Sequence, residues 1–283
     1  MTGAHEAAAA PGQHWHEDIT QLYLRERDRI EAMNGPFGDA MLDAASLTPG
    51  ERVLDIGCGQ GTTTVEAARQ TAPSGEVLGV DISGPLLQEA RRRAREGGVG
   101  NVDFVQADAQ VYPFGEAAFD AVISRFGVMF FDDHDTAFAN FATAVRPGGR
   151  LAIVCPAEPL QSEWIRIAFT AVAPHVGLPD LGPAGAPGTF AFADSDRLAA
   201  TILRAGFRDV SIEAVIRPIR LGDDVLDVAA FVTSLPEGRQ LLAGKPDVKV
   251  AAAADSLKTA FAPHAGPGGV IVDESAWLAT ARR

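Results

Sequence analysis

Positive charge is scarce in this chain: 24 Lys and Arg face 37 Asp and Glu, a formal charge of −13 over 283 residues. A phosphate-reading surface needs clustered cations. The one basic cluster, Arg91-Arg92-Arg93 with Arg95, lies in a helical stretch and reads as a solvated helix face. Nucleic acid is therefore not expected as a partner. Cysteine is equally sparse: Cys58 and Cys155 are the two, too few for a disulfide scaffold and most simply free thiols in a reducing compartment. No run of about 18 apolar residues is present for a membrane span. The stretch from Met1 to Asp18 has neither a basic start nor a long apolar centre, so it does not read as a signal peptide. A cytoplasmic location is expected. No internal repeat is seen, and no metal site is expected.

What the chain does have is alternation. The first residues, through Gln13, are rich in Ala and Gly and read as mobile. Helical patterns follow over Asp18–Met33 and Asp39–Ala45. Short apolar strands are then expected at Arg52–Cys58, Glu76–Asp81, Val102–Asp108, Phe119–Phe126 and Arg150–Ala157. Helical runs near Thr62–Gln70, Pro85–Arg95 and Thr136–Val145 separate them. Such alternation implies a parallel sheet covered on both faces. Further on, Glu163–Val176 is helical, and the Pro/Gly-rich Gly177–Gly188 fits no regular element. Asp194–Ala205 is a helix stopped by Gly206, and Val210–Leu221 alternates like a strand. Asp223–Ala262 is mostly helical, and Gly269–Ala281 is a last strand. The expected fold is α/β, a Rossmann-like, mostly parallel seven-stranded sheet with helices on both faces and a helical cap insertion. The expected division is a helical lid (1–45), a core (46–157), a cap (158–192) and a C-terminal completion of the sheet with a helical insertion (193–283).

The sharpest local signal is Val53-Leu54-Asp55-Ile56-Gly57-Cys58-Gly59-Gln60-Gly61-Thr62. A buried strand runs into three glycines and opens a helix, so a ligand can approach the backbone. Asp55 would repel a phosphate and suits a cationic amino group. The dinucleotide fingerprint also wants Gly or Ala where Thr62 stands. A turn with only a structural role is the competing reading. Val80-Asp81-Ile82-Ser83 places an acid at the end of the second strand, where it can accept from ribose hydroxyls; a helix cap is the alternative, which Ser83 could supply instead. Asp108, after the third strand, can accept from an adenine amino group. Ser124-Arg125-Phe126 ends the fourth strand, and Arg146-Pro147-Gly148-Gly149-Arg150 makes a turn before the fifth.

Together these residues resemble the class I S-adenosylmethionine (SAM)-dependent methyltransferases, and more narrowly the bacterial branch related to ubiquinone/menaquinone C-methyltransferases. The matching phrases are Val53–Gly61, Gly79–Ser83, Asp108-Ala109, Ser124–Phe131 and Arg146–Arg150, with flanking matches that carry the resemblance from about Trp15 nearly to the end. The resemblance implies that Asp55, Gly57, Gly59 and Gly61 hold the methionine part of SAM. It implies Asp81 at the ribose, Ile82 against the adenine, Asp108 and Ala109 at the adenine edge, and Ser124 at the methionine end through its backbone. Tyr23 is implied to close over the cofactor. Cys155-Pro156-Ala157 and Gln161-Ser162-Glu163-Trp164 depart from the family pattern where the acceptor is expected, so the acceptor does not transfer.

Methyl transfer by direct displacement needs positioning and desolvation, and a base only for a weakly acidic nucleophile. His134 is the candidate base, with a solvated helix start as its alternative; His14, His16 and His175 are weaker candidates. Arg125 is read as partner of an anionic acceptor or of the cofactor carboxylate, or as one half of a strand-end salt bridge. The acceptor pocket is expected between the leading helix with Tyr23, the exit Arg125–Phe131, and the insertion Pro156–Phe192. Phe126, Met129, Phe130, Trp164 and Phe169 would line it, so the substrate should be a small molecule with a sizeable apolar part. Gly177–Gly188 would move or order on binding. Two other readings stand beside the methyltransferase: a protein using SAM structurally for a rearrangement or cyclisation, and a nicotinamide oxidoreductase, which Asp55 and the glycine spacing oppose.

Overall fold

The computed structural model describes residues 17–283. The first five strands are β1 (Arg52–Ile56), β2 (Glu76–Asp81), β3 (Val102–Gln106), β4 (Phe119–Arg125) and β5 (Val145–Pro156). The first four are short, and β1 and β4 are buried along nearly their whole length, the signature of strands covered on both faces. They pair in parallel in the order β3-β2-β1-β4-β5. Two long strands, β6 (Arg208–Gly222) and β8 (Gly269–Arg282), complete the sheet. β8 inserts antiparallel between β5 and β6, and the two-residue β7 (Ala265–Gly266) adds a bridge to β8. The expected seven-stranded, mostly parallel sheet is present, with β7 as a minor eighth member.

Alternation along each strand divides the core in two. Val53, Ile123 and Val154 join one cluster with Phe37, Met41, Val172, Leu257 and Phe261. Leu54, Val122 and Ile153 join the other with Phe138, Phe141, Phe192 and Leu198. The first face is covered by α2 (Arg27–Ala45), α3 (Thr62–Thr71), α6 (Glu163–Val176), α8 (Val225–Ser234) and α10 (Asp247–Phe261). The second is covered by α5 (His134–Ala144) and α7 (Ser195–Arg204). α1 (Glu17–Arg25), α4 (Gly84–Glu96) and α9 (Pro236–Leu242) complete the described helices.

Three boundaries differ from expectation. The leading helices break at Glu26, not after Met33, and α2 runs straight through Pro36. Proline removes one helical hydrogen bond, but Phe37, Met41 and Ala45 all bury completely at four-residue spacing, and that packed stripe outweighs the lost bond. The turn Arg146–Gly149 belongs to β5, because Gly148 donates to the Arg283 carbonyl and Gly149 accepts from the Arg283 amide, each at 2.9 Å. The long helical region is cut into α8, α9 and α10 at Leu235-Pro236 and around Gly244–Pro246, where proline forces the preceding residue out of helical geometry.

Candidate functional site

β1 ends at Ile56, and the chain turns through Gly57, Gly59 and Gly61, all at positive φ (63°, 53° and 76°). The three have different reasons to be glycine. A Cβ at Gly57 would lie 2.8 Å from the Gly127 Cα, and one at Gly61 would lie 2.7 Å from the Ala90 Cβ, so both are packing requirements. A Cβ at Gly59 meets nothing within 4 Å; this glycine faces open space. That space is a cavity of about 120 Å³ at the C-terminal ends of the parallel strands, walled by Gly57, Gly59, Gln60, Asp81, Ile82, Asp108, Ala109, Arg125, Phe126 and Tyr23. Open α/β sheets collect ligands at this edge. Asp81 ties the wall together. One carboxylate oxygen accepts from the Gly59 amide and the other from the Ser83 amide, both at 2.8 Å. Burial raises the Asp81 pKa, opposed by those amide bonds. Ser83 is itself the cap of α4, its hydroxyl accepting from the Leu86 amide.

Three sequence candidates stand behind the wall. Gly61 packs against α4. Ser124 is fully buried and its hydroxyl donates to the Ile56 carbonyl at 2.7 Å. Asp55 is fully buried; its Oδ2 accepts from the hydroxyls of Thr63 (3.1 Å) and Thr64 (2.7 Å), while its Oδ1 has no hydrogen-bond partner among the described residues. Burial pushes the Asp55 carboxyl up to about 6.

The leading helices close the cavity from above. Arg125 makes a bidentate pair with Glu31 of α2 (2.8 and 3.0 Å), so of its candidate roles the structure displays the strand-end salt bridge. The Gln60 side chain donates to the Tyr23 carbonyl at 3.1 Å, tying the glycine turn to α1. Phe126 sits in the left-handed region (φ 56°), a strained backbone for an aromatic residue. Its ring is wedged edge-on against Phe37.

Beyond Phe126 lies a second cavity of about 280 Å³. Tyr23, Ile30, Asn34, Phe126 and Phe130 wall both spaces. All five expected pocket residues, Phe126, Met129, Phe130, Trp164 and Phe169, line it. Its enclosure is larger than the sequence suggests: Phe231, Leu235, Leu241 and Leu257 of the C-terminal helices also contribute, as do Glu274 and Ser275 of β8. No local motif marks these residues; the helical ones reach the site because α10 packs on α6 and α8, and the β8 pair because α6 packs on β8. Glu31, Asn34, Glu237 and Glu274 are among the polar residues that sequence reading missed.

His134 needs a correction. It is neither solvated nor on the wall of either cavity. It is buried at the start of α5, its Nε2 is 3.1 Å from the Met129 carbonyl, and its ring packs edge-on against Phe192. Burial lowers its pKa, and the structure gives it a packing role. His175 pairs with the Ser256 hydroxyl at 2.8 Å, linking α6 to α10. His14 and His16 lie outside the described residues. Among the described residues no cluster of three metal-binding side chains occurs, and no helix is long and apolar enough to cross a membrane.

Residues 53–149 match the family described as Methyltransferase domain. Over 181 residues the chain is 30% identical to a ubiquinone/menaquinone biosynthesis C-methyltransferase, UbiE, of Yersinia enterocolitica, a match covering 60% of this chain and 71% of that protein. This chain belongs to the class I SAM-dependent methyltransferases. Another relative of this chain is the aklanonic acid methyltransferase DauC of a Streptomyces species, 37% identical over 50% of this chain and 66% of that one. Other curated relatives are matched over 44–45% of their own length, about half. In fold the chain resembles the YcgJ protein of Bacillus subtilis, with a TM-score of 0.55 at 20% identity, covering 87% of this chain and 97% of that one.

SAM is the cofactor of this family, and the smaller cavity suits it. Gly59 leaves the backbone bare where a ligand must come close. Asp81 and Asp108 offer carboxylates on the wall with Ile82 and Ala109 as apolar neighbours. Among the described residues no Lys or His lines that cavity, and the one Arg there is held by Glu31, which suits a phosphate-free ligand better than a dinucleotide.

Proposed function

We propose that this methyltransferase moves a methyl group from SAM, by direct displacement, onto a small molecule with a sizeable apolar part. The observation that carries the reading is the shared wall: Tyr23, Phe126 and Phe130 border both the glycine-turn cavity and the larger apolar one, so a cofactor in the first and an acceptor in the second would meet there. Gly57, Gly59, Asp81, Ile82, Asp108 and Ala109 would hold the cofactor, with Tyr23 closing over it; Asp55, Gly61 and Ser124 support the turn and strand ends from behind. Bound SAM supplies a methyl group already activated on a sulfonium. The work left to the chain is to hold the acceptor close and exclude water. Helices α1 and α2 act as a lid over the junction, and residues 158–192 with α8–α10 form the cap. Pro179 and Leu181, from the Pro/Gly-rich segment, line the acceptor cavity, in keeping with ordering of that segment on binding.

The test is turnover: SAM with a panel of apolar phenols, amines and enolisable ketones, read as S-adenosylhomocysteine and methylated product. Product formation with one class supports the reading. Tight SAM binding without S-adenosylhomocysteine from any acceptor would turn it toward a structural use of the cofactor. Once an acceptor is found, Trp164→Ala should raise its KM or lower kcat while SAM affinity changes by less than about threefold. Equal loss of both would remove Trp164 from the acceptor wall.

A further inference from the structure

The larger cavity is mostly apolar, and one of its few polar groups is a carboxylate on β8. Glu274 lines it, half-buried. One carboxylate oxygen accepts from the Ser162 hydroxyl at 2.7 Å and from the Trp164 indole N–H; the other accepts from the Ser275 amide at 3.0 Å. An ionised carboxylate offers about four acceptor positions, so three donors leave one unused, on the oxygen that holds only the Ser275 amide. Among the described residues no Lys, Arg or His lies within ion-pair distance of Glu274, whereas other partly buried carboxylates, such as Glu31, Glu51 and Glu89, have an Arg. Burial raises the Glu274 pKa, with the three donors opposing. A carboxylate kept in an apolar wall without a cation is costly, and its two side-chain donors fix it in position.

The rest of the wall sharpens the point. Among the described residues the lining contains a second carboxylate, Glu237, and no Lys, Arg or His. No cation among the described residues is there to pair with a carboxylate or phosphate, and two carboxylates would repel one.

We infer that Glu274 is the polar anchor of the acceptor cavity, accepting a hydrogen bond from a hydroxyl or amine on an acceptor that is otherwise apolar and carries no negative charge. The inference rests on reading the larger cavity as the acceptor site. Glu274 thus selects among apolar molecules of similar size, and its orientation is set by Ser162 and Trp164, which lie in a stretch that departs from the family pattern.

Three probes of one shape separate the possibilities: 2-naphthol, 2-methylnaphthalene and 2-naphthoate, titrated calorimetrically at neutral pH into protein saturated with S-adenosylhomocysteine. The wild-type chain should bind 2-naphthol about tenfold or more tightly than 2-methylnaphthalene, as expected for a hydrogen bond to a charged acceptor, and should not bind 2-naphthoate. Glu274→Gln should narrow the naphthol preference at least threefold while the S-adenosylhomocysteine affinity holds. Equal binding of naphthol and methylnaphthalene to the wild type, or a preference unchanged in Glu274→Gln, would overturn the anchor and leave the cavity reading standing. Binding of none of the three would overturn both. The wild-type comparison decides by itself where the variant does not fold.

Discussion

Gly59 shows how one hydrogen atom divides folding from binding. Its neighbours in the turn are glycine because backbone or Ala90 stands 2.7–2.8 Å from where a Cβ would go, whereas Gly59 has nothing within 4 Å. Gly59→Val should therefore fold, at about 1–2 kcal/mol for the positive φ, and lose cofactor affinity by on the order of a hundredfold or more. Gly61→Ala should cut the melting temperature instead. Thermal scans with and without S-adenosylhomocysteine check both, and a Gly59→Val protein that binds normally would show the turn to be structural only. Asp55 makes a prediction in pH. Its folded-state value of about 6 against an ordinary 3.8 means that the folded ligand-free chain holds this proton more tightly than the unfolded chain. The resulting stabilisation is full below pH 3.8 and fades as pH rises through about 6, a change of roughly 3 kcal/mol. Asp55→Asn lacks this dependence. Denaturant titrations at pH 5 and pH 8 should show the variant gaining relative to wild type at the higher pH; a constant difference would mean that Asp55 titrates normally.

At the scale of elements, the contact to test is α2 against the end of β4. Glu31 and Arg125 form a bidentate pair with side chains 32% and 14% exposed, and although burial opposes ionisation, the pairing with Arg125 holds the Glu31 carboxyl below its usual range. Removing either partner leaves the other charge poorly compensated, at about 1–3 kcal/mol. Glu31→Ala and Arg125→Ala should each lower stability, and the double variant should be no worse than the poorer single one. Fully additive losses in a double-mutant cycle would show the pair to be uncoupled. This pair also marks where sequence reading stopped. Arg125 stands out at a strand end, but its partner is 94 residues away on a helix whose continuity through Pro36 no local rule suggests. The parallel strands were legible because each carries an apolar run between glycine and helix signals. The cavity wall from α8 to α10 was not, because its apolar residues carry no motif and gain their meaning from α10 packing on α6. His134 misled for the same reason: its position after β4 points toward the ligand edge, while Phe192, 58 positions on, draws its ring into the core.

For the whole molecule, the layout places a small, polar-rimmed cavity beside a larger apolar one, both at the strand ends of a sheet in the order β3-β2-β1-β4-β5-β8-β6. The net charge of −13 disfavours polyanions as acceptors at long range, in agreement with the absence of cations on the larger wall among the described residues. The central claim is that the cavity facing Gly59 is the SAM site, and it is tested most directly by ligand-dependent melting of the wild-type chain and Gly59→Val in parallel. S-adenosylhomocysteine at about 100 times its Kd should stabilise the wild type by roughly 2.7 kcal/mol, seen as a rise of several degrees. NAD or NADP should do nothing, and the variant should not respond to S-adenosylhomocysteine. A wild-type chain that ignores S-adenosylhomocysteine, or a Gly59→Val chain that responds as the wild type does, would contradict the account.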